Sequence, residues 1–275
     1  MLKVVDGHVH LGFSKMPERC YTFLKLIGFN DQNVKPNELK LSDDNIEIER
    51  IILIPSFPCG TSECTDGFYQ QVKWIKGFED RFSVAGTVNP NCDIDVRKEL
   101  ENQYSLGAVA IKLHPVHHWF KPNDYRPEER GLKNLQYVYE FAEEYKLPVI
   151  IHTGTSITVN ARNKYGDPIY VDDVIKDFNI TIILAHSGRP LWTETAFYLA
   201  KNFDNVYLDI SSIPPKRLRE YLPRIDEVVE KTVYGSDYPN YMNQTLIGHA
   251  LKMAEVVNFD EKIMRDNILK LIKIH

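Results

Sequence analysis

Eight short runs rich in valine and isoleucine recur along the whole chain, and segments with helical periodicity lie between them. Such runs predict buried strands. A strand whose sheet is covered by helices on both faces has apolar side chains on both faces, so its sequence is a continuous apolar run. Strands that alternate with helices pair in parallel. The predicted strands are Lys3–Val5, Ile48–Ile54, Phe82–Val88, Ala108–Leu113, Pro148–Ile151, Thr181–Leu184, Val206–Ile210 and Thr232–Tyr234.

The segments between these runs carry apolar residues on one helical face. Leu132, Leu135, Tyr139 and Ala142 recur at intervals of three and four residues before Pro148 begins the next strand. Comparable stripes predict helices at Phe68–Ile75, Ile94–Tyr104, Val171–Phe178, Thr193–Phe203, Leu218–Ile225, Thr245–Val257 and Asp260–Ile272, the last opened by an aspartate cap.

This alternation predicts an α/β fold, and eight is the number of strands that closes a (β/α)8, or TIM, barrel. The chain has 275 residues, which suits one such barrel over residues 1–275 as a single domain. An open doubly wound sheet is the alternative, but no G-x-G-x-x-G or P-loop motif follows a predicted strand. The irregular stretch Gly12–Asp44, with Phe13, Tyr21 and Phe29, is expected to form an insertion over the barrel mouth and to hold one short helix.

Charge and composition argue against several classes of protein. The formal net charge is −5 and lysines and arginines form no block, which argues against nucleic acid as the main partner. No run approaches the roughly 18 apolar residues of a membrane helix, and the opening MLKVVDGHVH has no basic stretch typical of a signal peptide. Cys20, Cys59, Cys64 and Cys92 form no C-x-x-C pair, and their spacing predicts no disulfide framework, which suits a reducing cytoplasm.

Histidines concentrate where the predicted strands end. The first run ends in D-G-H-V-H, so Asp6, His8 and His10 share one face. In a parallel barrel the carboxyl ends of the strands carry the active site, and polar residues at these ends are therefore expected to converge. The full set contains five of the nine histidines with one lysine and one aspartate: His8, His10, His114, His152, His186, Lys112 and Asp237.

Imidazole nitrogens with a carboxylate are the donors that a borderline metal ion such as Zn²⁺ selects. Three nitrogens and one oxygen leave a position for water, whose pKa such a metal lowers toward about 7. Each residue also has a structural reading: a single histidine can be a hydrogen-bonded structural group, and Lys112 can pair with Asp6 or Asp209. We expect one divalent metal, Zn²⁺ foremost, with Mn²⁺, Fe²⁺ or Co²⁺ as alternatives and a second metal left open.

The order of the motifs is itself informative. D-G-H-V-H, I-K-L-H-P, V-I-I-H-T-G, I-L-A-H-S-G and Y-G-S-D-Y-P follow one another from the first strand to the eighth, and D-N-I-L-K-L-I closes the chain. Together they resemble the amidohydrolase superfamily, and more narrowly its amidohydrolase-related branch, which includes the aminocarboxymuconate-semialdehyde-decarboxylase-like enzymes. The resemblance extends from residue 4 to about residue 271 and implies a metal-dependent barrel enzyme.

The resemblance implies a role for each matching residue. His8, His10, His152 and Asp237 correspond to metal ligands, and the aspartate also handles the proton of the reacting water. His186 corresponds to a histidine that binds a second metal in binuclear members and contacts substrate or water in mononuclear ones. These roles make one tightly bound metal the expected state.

Further side chains are predicted to face the substrate. Lys112 matches a lysine that binuclear relatives carbamylate to bridge two metals, and we favour instead a cation that faces a substrate carboxylate or a developing oxyanion. Arg189 follows the sixth-strand motif and is predicted to bind an anionic group. The loop after the fourth strand is predicted to contact substrate through His114 and Trp119, and His117 lies in the same loop.

The residues and the resemblance together predict an enzyme that hydrolyses an amide, ester or lactone of a small anionic molecule, with Asp237, His186 and Lys112 as catalytic residues. Non-oxidative decarboxylation of a carboxylated aromatic or enol substrate is the alternative, because both reactions use the same site. Two other classes of barrel enzyme are less favoured. TatD-type nucleases place a glutamate on the fourth strand, where this sequence has Lys112, and PHP-type phosphoesterases need further histidine–carboxylate pairs that the sequence does not offer. A non-catalytic barrel is disfavoured because both water-handling residues are present. A small molecule is the expected partner, and a homodimer is left open.

Overall fold

Eight parallel strands form one sheet in the computed structural model, and their order around the sheet is their order in the sequence. The structure describes residues 1–26, 34–57, 59–60, 63–240 and 244–273. Every neighbouring pair of strands along this order is parallel. The strands are β1 (Leu2–Val9), β2 (Ile46–Leu53), β3 (Phe82–Thr87), β4 (Ala108–Leu113), β5 (Val149–His152), β6 (Ile182–Ala185), β7 (Val206–Asp209) and β8 (Thr232–Val233).

β1 is bonded to the segment that follows β8, so the eight strands form a nearly closed barrel. Val9 and Tyr238 form a parallel bridge. The amide of Asp237 donates to the carbonyl of His8 at 2.8 Å, and the amide of His10 donates to the carbonyl of Tyr238 at 2.7 Å. These contacts confirm the predicted barrel and exclude the open doubly wound sheet.

Helices connect the strands close to the predicted bounds. Asp260 accepts a hydrogen bond from the amide of Ile263 at 3.1 Å, which confirms the predicted cap. The helix predicted at Leu218–Ile225 is shorter than expected, because Pro223 has no amide hydrogen and restricts the residue before it. Within the described ranges, no helix combines the length and the apolar character needed to cross a membrane. The helices are α1 (Glu18–Leu26), α2 (Phe68–Trp74), α3 (Val96–Ser105), α4 (Pro115–His118), α5 (Lys133–Tyr145), α6 (Val171–Asp177), α7 (Thr193–Asn202), α8 (Leu218–Tyr221), α9 (Leu246–Val256) and α10 (Asn267–Leu271), with a π-helical turn at Lys262–Asp266.

Alternate residues of the strands fill the barrel interior and support the site above them. Ala110 and Ile150 belong to one buried cluster, whereas their strand neighbour Ile111 belongs to the larger cluster that includes the helices. Lys112 and His152 lie two residues beyond Ala110 and Ile150, on the same faces of β4 and β5. An apolar layer therefore lies beneath the polar residues at the strand ends.

The predicted insertion packs at the barrel mouth, and α1 is its short helix. The rings of Phe13 and Phe57 lie 4.9 Å apart between centroids in a small buried cluster, and Tyr21 packs against that cluster. Phe23 of α1 lines the cavity at the mouth. Phe29, the third aromatic residue of the prediction, lies outside the described residues.

The four cysteines form two disulfides, so the prediction of unpaired cysteines is wrong. Cys20 pairs with Cys59 and Cys64 pairs with Cys92, with Cα atoms 4.8 and 5.8 Å apart. Separations of 39 and 28 residues carry no signal in the sequence, because the insertion and the loops after β2 and β3 meet only in the folded barrel. The cysteines therefore no longer support a reducing cytoplasm as the location of the protein.

Replacement of both Cys64 and Cys92 by serine is expected to lower the free energy of unfolding by about 3–4 kcal/mol, because a disulfide that closes a loop of this length restricts the unfolded chain. Urea unfolding of the oxidised wild type and the double variant measures the difference. Wild-type protein in dithiothreitol is the control, and its loss is expected to be larger because both disulfides open. Four alkylatable thiols in unreduced, unfolded wild-type protein would contradict both pairings.

Candidate metal centre

The carboxyl end of β1 contributes three buried polar side chains, Asp6, His8 and His10. Oδ1 of Asp6 accepts hydrogen bonds from the amides of His8 at 3.3 Å and Ser236 at 2.8 Å. Burial raises the pKa of Asp6 to about 7, although hydrogen bonds with Ser236 lower it in part. Asp6 thereby ties the end of β1 to the segment after β8 that carries Asp237.

Asp237 lies at the centre of a first group of donor atoms. Donor atoms of Asp237, His8 and His186 lie within 4.8 Å of one another, and all three residues are buried. Nε2 of His10 lies 3.1 Å from Oδ1 of Asp237, and Nε2 of His8 lies 3.9 Å from the same oxygen. The ends of β1, β6 and β8 therefore converge on one carboxylate, as the strand-end pattern predicts.

The Nδ1 atoms of the imidazoles in this group contact oxygen atoms of the protein. Oδ2 of Asp209, at the end of β7, lies 2.6 Å from Nδ1 of His8. A carboxylate partner of this kind fixes the orientation and raises the basicity of a ligating imidazole. Nε2 of His8 is buried and has no hydrogen-bond partner among the described residues. Nδ1 of His10 lies 2.8 Å from the carbonyl oxygen of Ser56. Nδ1 of His186 lies 2.9 Å from the hydroxyl oxygen of Ser211.

A second group of donor atoms lies beside the first. Donor atoms of His114, His117 and His152 lie within 4.8 Å of one another, and all three residues are buried. The ring centroids of His152 and His186 are 4.7 Å apart, so the two groups adjoin. His152 therefore lies between the second group and His186 of the first group, and it lines the same cavity as Asp237.

Burial keeps these imidazoles neutral. It lowers the pKa of His8, His114, His152 and His186 well below the usual range, and neighbouring cationic groups, among them Lys112, lower it further. A neutral imidazole is the form that offers a lone pair to a metal ion. The donor set is therefore in its metal-binding form at neutral pH.

The Asp237 carboxylate is charged at neutral pH, whereas the imidazoles around it are neutral. Burial alone raises its pKa, but the hydrogen bond with His10, the nearby imidazoles and the Arg189 guanidinium outweigh burial and bring the pKa below its usual range. The carboxylate is therefore ionised at neutral pH. It can accept a proton or bind a cation.

The backbone at two of these residues is strained. The φ angles are 64° at His186 and 63° at Asp237, in the left-handed region that favours glycine. A non-glycine residue held there costs roughly 1–3 kcal/mol, and such positions concentrate at functional sites.

Lys112 is fully buried at the end of β4, and its Nζ has no hydrogen-bond partner among the described residues. It pairs with neither Asp6 nor Asp209, the two partners that a structural role predicts. Burial lowers the pKa of its ammonium, while the charges of Asp209 and Asp237 raise it in part. A buried amine without a partner is costly, which is consistent with a functional role.

Residues of both groups line one cavity of about 420 Å³ at the barrel mouth. Arg189 also lines it, donates a hydrogen bond to the hydroxyl of Ser212, and forms no ion pair with a carboxylate in the described part of the chain. A guanidinium in this state suits an anionic ligand. Trp119 does not line this cavity; the residue is 46% exposed, and its indole donates to the carbonyl of Asn160 at 2.8 Å.

Two residues of the arrangement have sequence signals that the strand-end prediction leaves unused. Asp209 lies one residue before the end of a predicted strand, close to the position at which the pattern selects His152. His117 follows His114 by three residues, with Pro115 at the first position of α4. Proline favours that position, and residues three apart share a helical face.

A model of the family described as Amidohydrolase matches residues 57–274. The fold is similar to that of the uncharacterized TIM-barrel protein Bb4693 from Bordetella bronchiseptica, with 18% identity, a TM-score of 0.65 and 98% of each chain covered. It is also similar to a probable 2-pyrone-4,6-dicarboxylic acid hydrolase from Acinetobacter baumannii (16% identity, TM-score 0.62, 98% of each chain). A third similar structure is 5-carboxyvanillate decarboxylase LigW from Sphingomonas paucimobilis (14%, 0.59, 100% of each chain). No curated protein sequence matches the chain.

Proposed function

Because the chain belongs to the Amidohydrolase family, we propose that it is a metal-dependent hydrolase that cleaves an amide, ester or lactone of a small anionic molecule. The observation that carries this proposal is a buried, ionised Asp237 among imidazoles, one of which, His8, has no hydrogen-bond partner for Nε2 among the described residues. A carboxylate in these surroundings can bind a metal ion and can accept a proton.

The donor set fits a divalent metal of borderline character. We assign His8, His10, His152 and Asp237 as its ligands, the set that the resemblance implies, and the donor atoms of His186 lie within 4.8 Å of those of His8 and Asp237. Zn²⁺ suits neutral imidazoles with one carboxylate, and Mn²⁺, Fe²⁺ or Co²⁺ are the alternatives for the same donors. When bound, such an ion supplies Lewis-acid polarisation of a carbonyl group and lowers the pKa of a water molecule.

The protein side chains supply the proton transfers and the charge stabilisation. Asp237 is ionised, so it can take the proton of the attacking water and deliver it to the leaving group. Lys112 stabilises the negative charge that develops on the carbonyl oxygen, since its ammonium has no other partner among the described residues. Asp209 keeps the imidazole of His8 in the orientation that ligation requires.

The cavity supports a small anionic substrate. Its volume of about 420 Å³ lies at the small end of the range of ligand pockets. Arg189 supplies a guanidinium that can hold a carboxylate through two hydrogen bonds. The aromatic rings of Phe23 and Phe57 supply apolar walls.

Non-oxidative decarboxylation is the second candidate, since the fold is shared with 5-carboxyvanillate decarboxylase and a cationic cavity suits a carboxylate. In that reaction the bond between carbon and the carboxylate breaks, CO₂ leaves, and Asp237 or His186 protonates the carbon. Asp237 is ionised at neutral pH, so in this reaction it first takes up a proton, for which a water molecule is the source.

Isotope labelling distinguishes the two reactions. Protein purified without chelator is analysed for transition metals, reconstituted with Zn²⁺, and assayed on lactones, esters and carboxylated phenols in H₂¹⁸O. We expect ¹⁸O in the product and no CO₂. Release of CO₂ without ¹⁸O incorporation would replace hydrolysis by decarboxylation, and failure to bind Zn²⁺ or Mn²⁺ would overturn the metal-dependent reaction.

A further inference from the structure

Three side chains of the segment that follows β7 contact residues of the site. The segment has the sequence D-I-S-S over residues 209–212, and the proposed reaction uses only its aspartate. Ser211 is fully buried and has no role in that reaction. The pairs are Asp209 with His8, Ser211 with His186 and Ser212 with Arg189.

The hydroxyl of Ser211 lies among three polar atoms of the site. Its Oγ is 2.9 Å from Nδ1 of His186, 2.9 Å from Oδ2 of Asp209 and 3.3 Å from Nδ1 of His8. The amide of Ser211 also donates to Oδ1 of Asp209 at 2.8 Å. Because a hydroxyl has a single proton to donate, the hydrogen atoms of its neighbours decide which way each bond runs.

The backbone carbonyl of Ser211 identifies the donor. It lies 3.3 Å from Nδ1 of His186, and a carbonyl oxygen only accepts, so this nitrogen carries the hydrogen atom. The hydroxyl of Ser211 therefore accepts from His186 and donates its own proton to Oδ2 of Asp209. The opposite arrangement would place two acceptors against each other both at the carbonyl and at the carboxylate.

The hydrogen atom at Nδ1 determines what the other nitrogen of His186 can do. Burial lowers the pKa of His186 well below its usual range, so the ring is neutral, and a neutral imidazole has one N–H and one lone pair. The lone pair is then at Nε2, and His186 lines the same cavity as Asp237. A nitrogen with a lone pair accepts a hydrogen bond and cannot donate one.

The residues around Ser211 are closely packed. A Cβ atom at Gly235 would lie 2.6 Å from Cβ of His8, 2.9 Å from Oδ1 of Asp209 and 3.1 Å from Cβ of Ser211. These distances are shorter than the roughly 3.5–4.0 Å of a normal carbon contact. Only glycine therefore fits where β1, β7 and the segment after β8 meet, and the hydroxyl of Ser211 is held at this junction.

We propose that Ser211 is a positioning residue of the site, whose hydroxyl holds the hydrogen atom of His186 at Nδ1 and so makes Nε2 an acceptor in the cavity. His186 then accepts a hydrogen bond from water or substrate, and stabilisation of a developing oxyanion falls to Lys112. The effect on turnover rests on the proposed function, whereas the position of the hydrogen atom does not.

Nuclear magnetic resonance of the metal-free protein tests the position of the hydrogen atom. Long-range ¹H–¹⁵N correlation spectra of protein with ¹⁵N-labelled histidine distinguish the two neutral forms of each ring, and the signals missing from His186→Gln identify His186. The wild type is expected to carry the hydrogen at Nδ1 of His186, and Ser211→Ala to show a mixture of both forms. Ser211→Thr, which keeps the hydroxyl, is expected to restore the wild-type form.

Thr232→Val is the matched control, because Thr232 is buried at the amino end of β8 and its hydroxyl donates to the carbonyl of Val228 at 2.8 Å. It is expected to leave the form of His186 unchanged. Hydrogen at Nε2 of His186 in the wild type, or the wild-type form in Ser211→Ala, would overturn the proposal. Circular dichroism and thermal melting check that each variant is folded, and Ser211→Cys, whose sulfur is only a weak acceptor, replaces Ser211→Ala if that variant is not.

Kinetics give a second readout on the substrate found by the labelling screen. The kcat/KM of Ser211→Ala is expected to fall about 10–100-fold, the cost typical of partners that orient ligating histidines, and to recover in Ser211→Thr. An unchanged kcat/KM in Ser211→Ala would overturn the positioning role. A wild type without activity would refute the proposed function, and the spectra of the metal-free protein would still decide the role of Ser211.

Discussion

Replacement of Asp237 by asparagine is expected to lower kcat/KM by about 10²–10⁴-fold, the range measured for a general acid–base group. Asparagine keeps the size of the side chain and removes the group that takes the proton from water. The ionised state of Asp237 arises from its hydrogen bond with His10 and the surrounding positive charge. The assay measures kcat and KM on the substrate found by the labelling screen, with metal content determined on the same sample.

Asp204→Asn is the matched control, because Asp204 is exposed on the surface and its replacement is expected to leave kcat/KM unchanged. Asp237→Asn with full metal content and wild-type activity would show that another group carries the proton. Loss of metal together with activity would instead identify Asp237 chiefly as a ligand.

Replacement of Lys112 by methionine is expected to lower kcat/KM by about 10²–10³-fold, the cost of removing one donor to a developing oxyanion. Methionine fills nearly the same volume, and it removes a buried amine that has no hydrogen-bond partner in the described part of the chain. The free energy of unfolding is therefore expected to stay the same or to rise. Kinetics, urea unfolding and metal analysis are measured on one preparation.

The metal content of Lys112→Met decides the role of the lysine. An unchanged count supports a free ammonium that acts on the substrate, whereas loss of one of two ions would replace this role by a carbamate bridge between metals. Lys216→Met, an exposed lysine, controls for the loss of one positive charge.

The fold was predictable because each of its signals is local. The valine- and isoleucine-rich runs lie within strands such as β4, whose bounds match the prediction, and the helical stripes match α5 and α7. The strand-end pattern likewise located His8, His186 and Asp237, since the carboxyl ends of parallel strands meet on one side of a barrel.

The remaining features depend on contacts between distant segments. Sequence spacing gives no distance between Cys20 and Cys59, whose pairing depends on how the insertion packs. It also does not reveal which neighbours His152 has, because that depends on the course of the loop that carries His117. Trp119 is an aromatic loop residue of the kind that contacts substrates, yet it is 46% exposed and lies outside the cavity lining.

The seam between β1 and β8 has a consequence for biosynthesis. Asp6 and Ser236 are hydrogen-bonded across 230 positions of the chain, and His8 and Asp209 across 201. At roughly 5–20 residues per second, the histidines of β1 leave the ribosome roughly 10–50 seconds before Asp237 is made. Metal loading at the proposed centre therefore follows synthesis of the segment after β8, and a nascent chain arrested before Asp237 would hold both early histidines without the carboxylate.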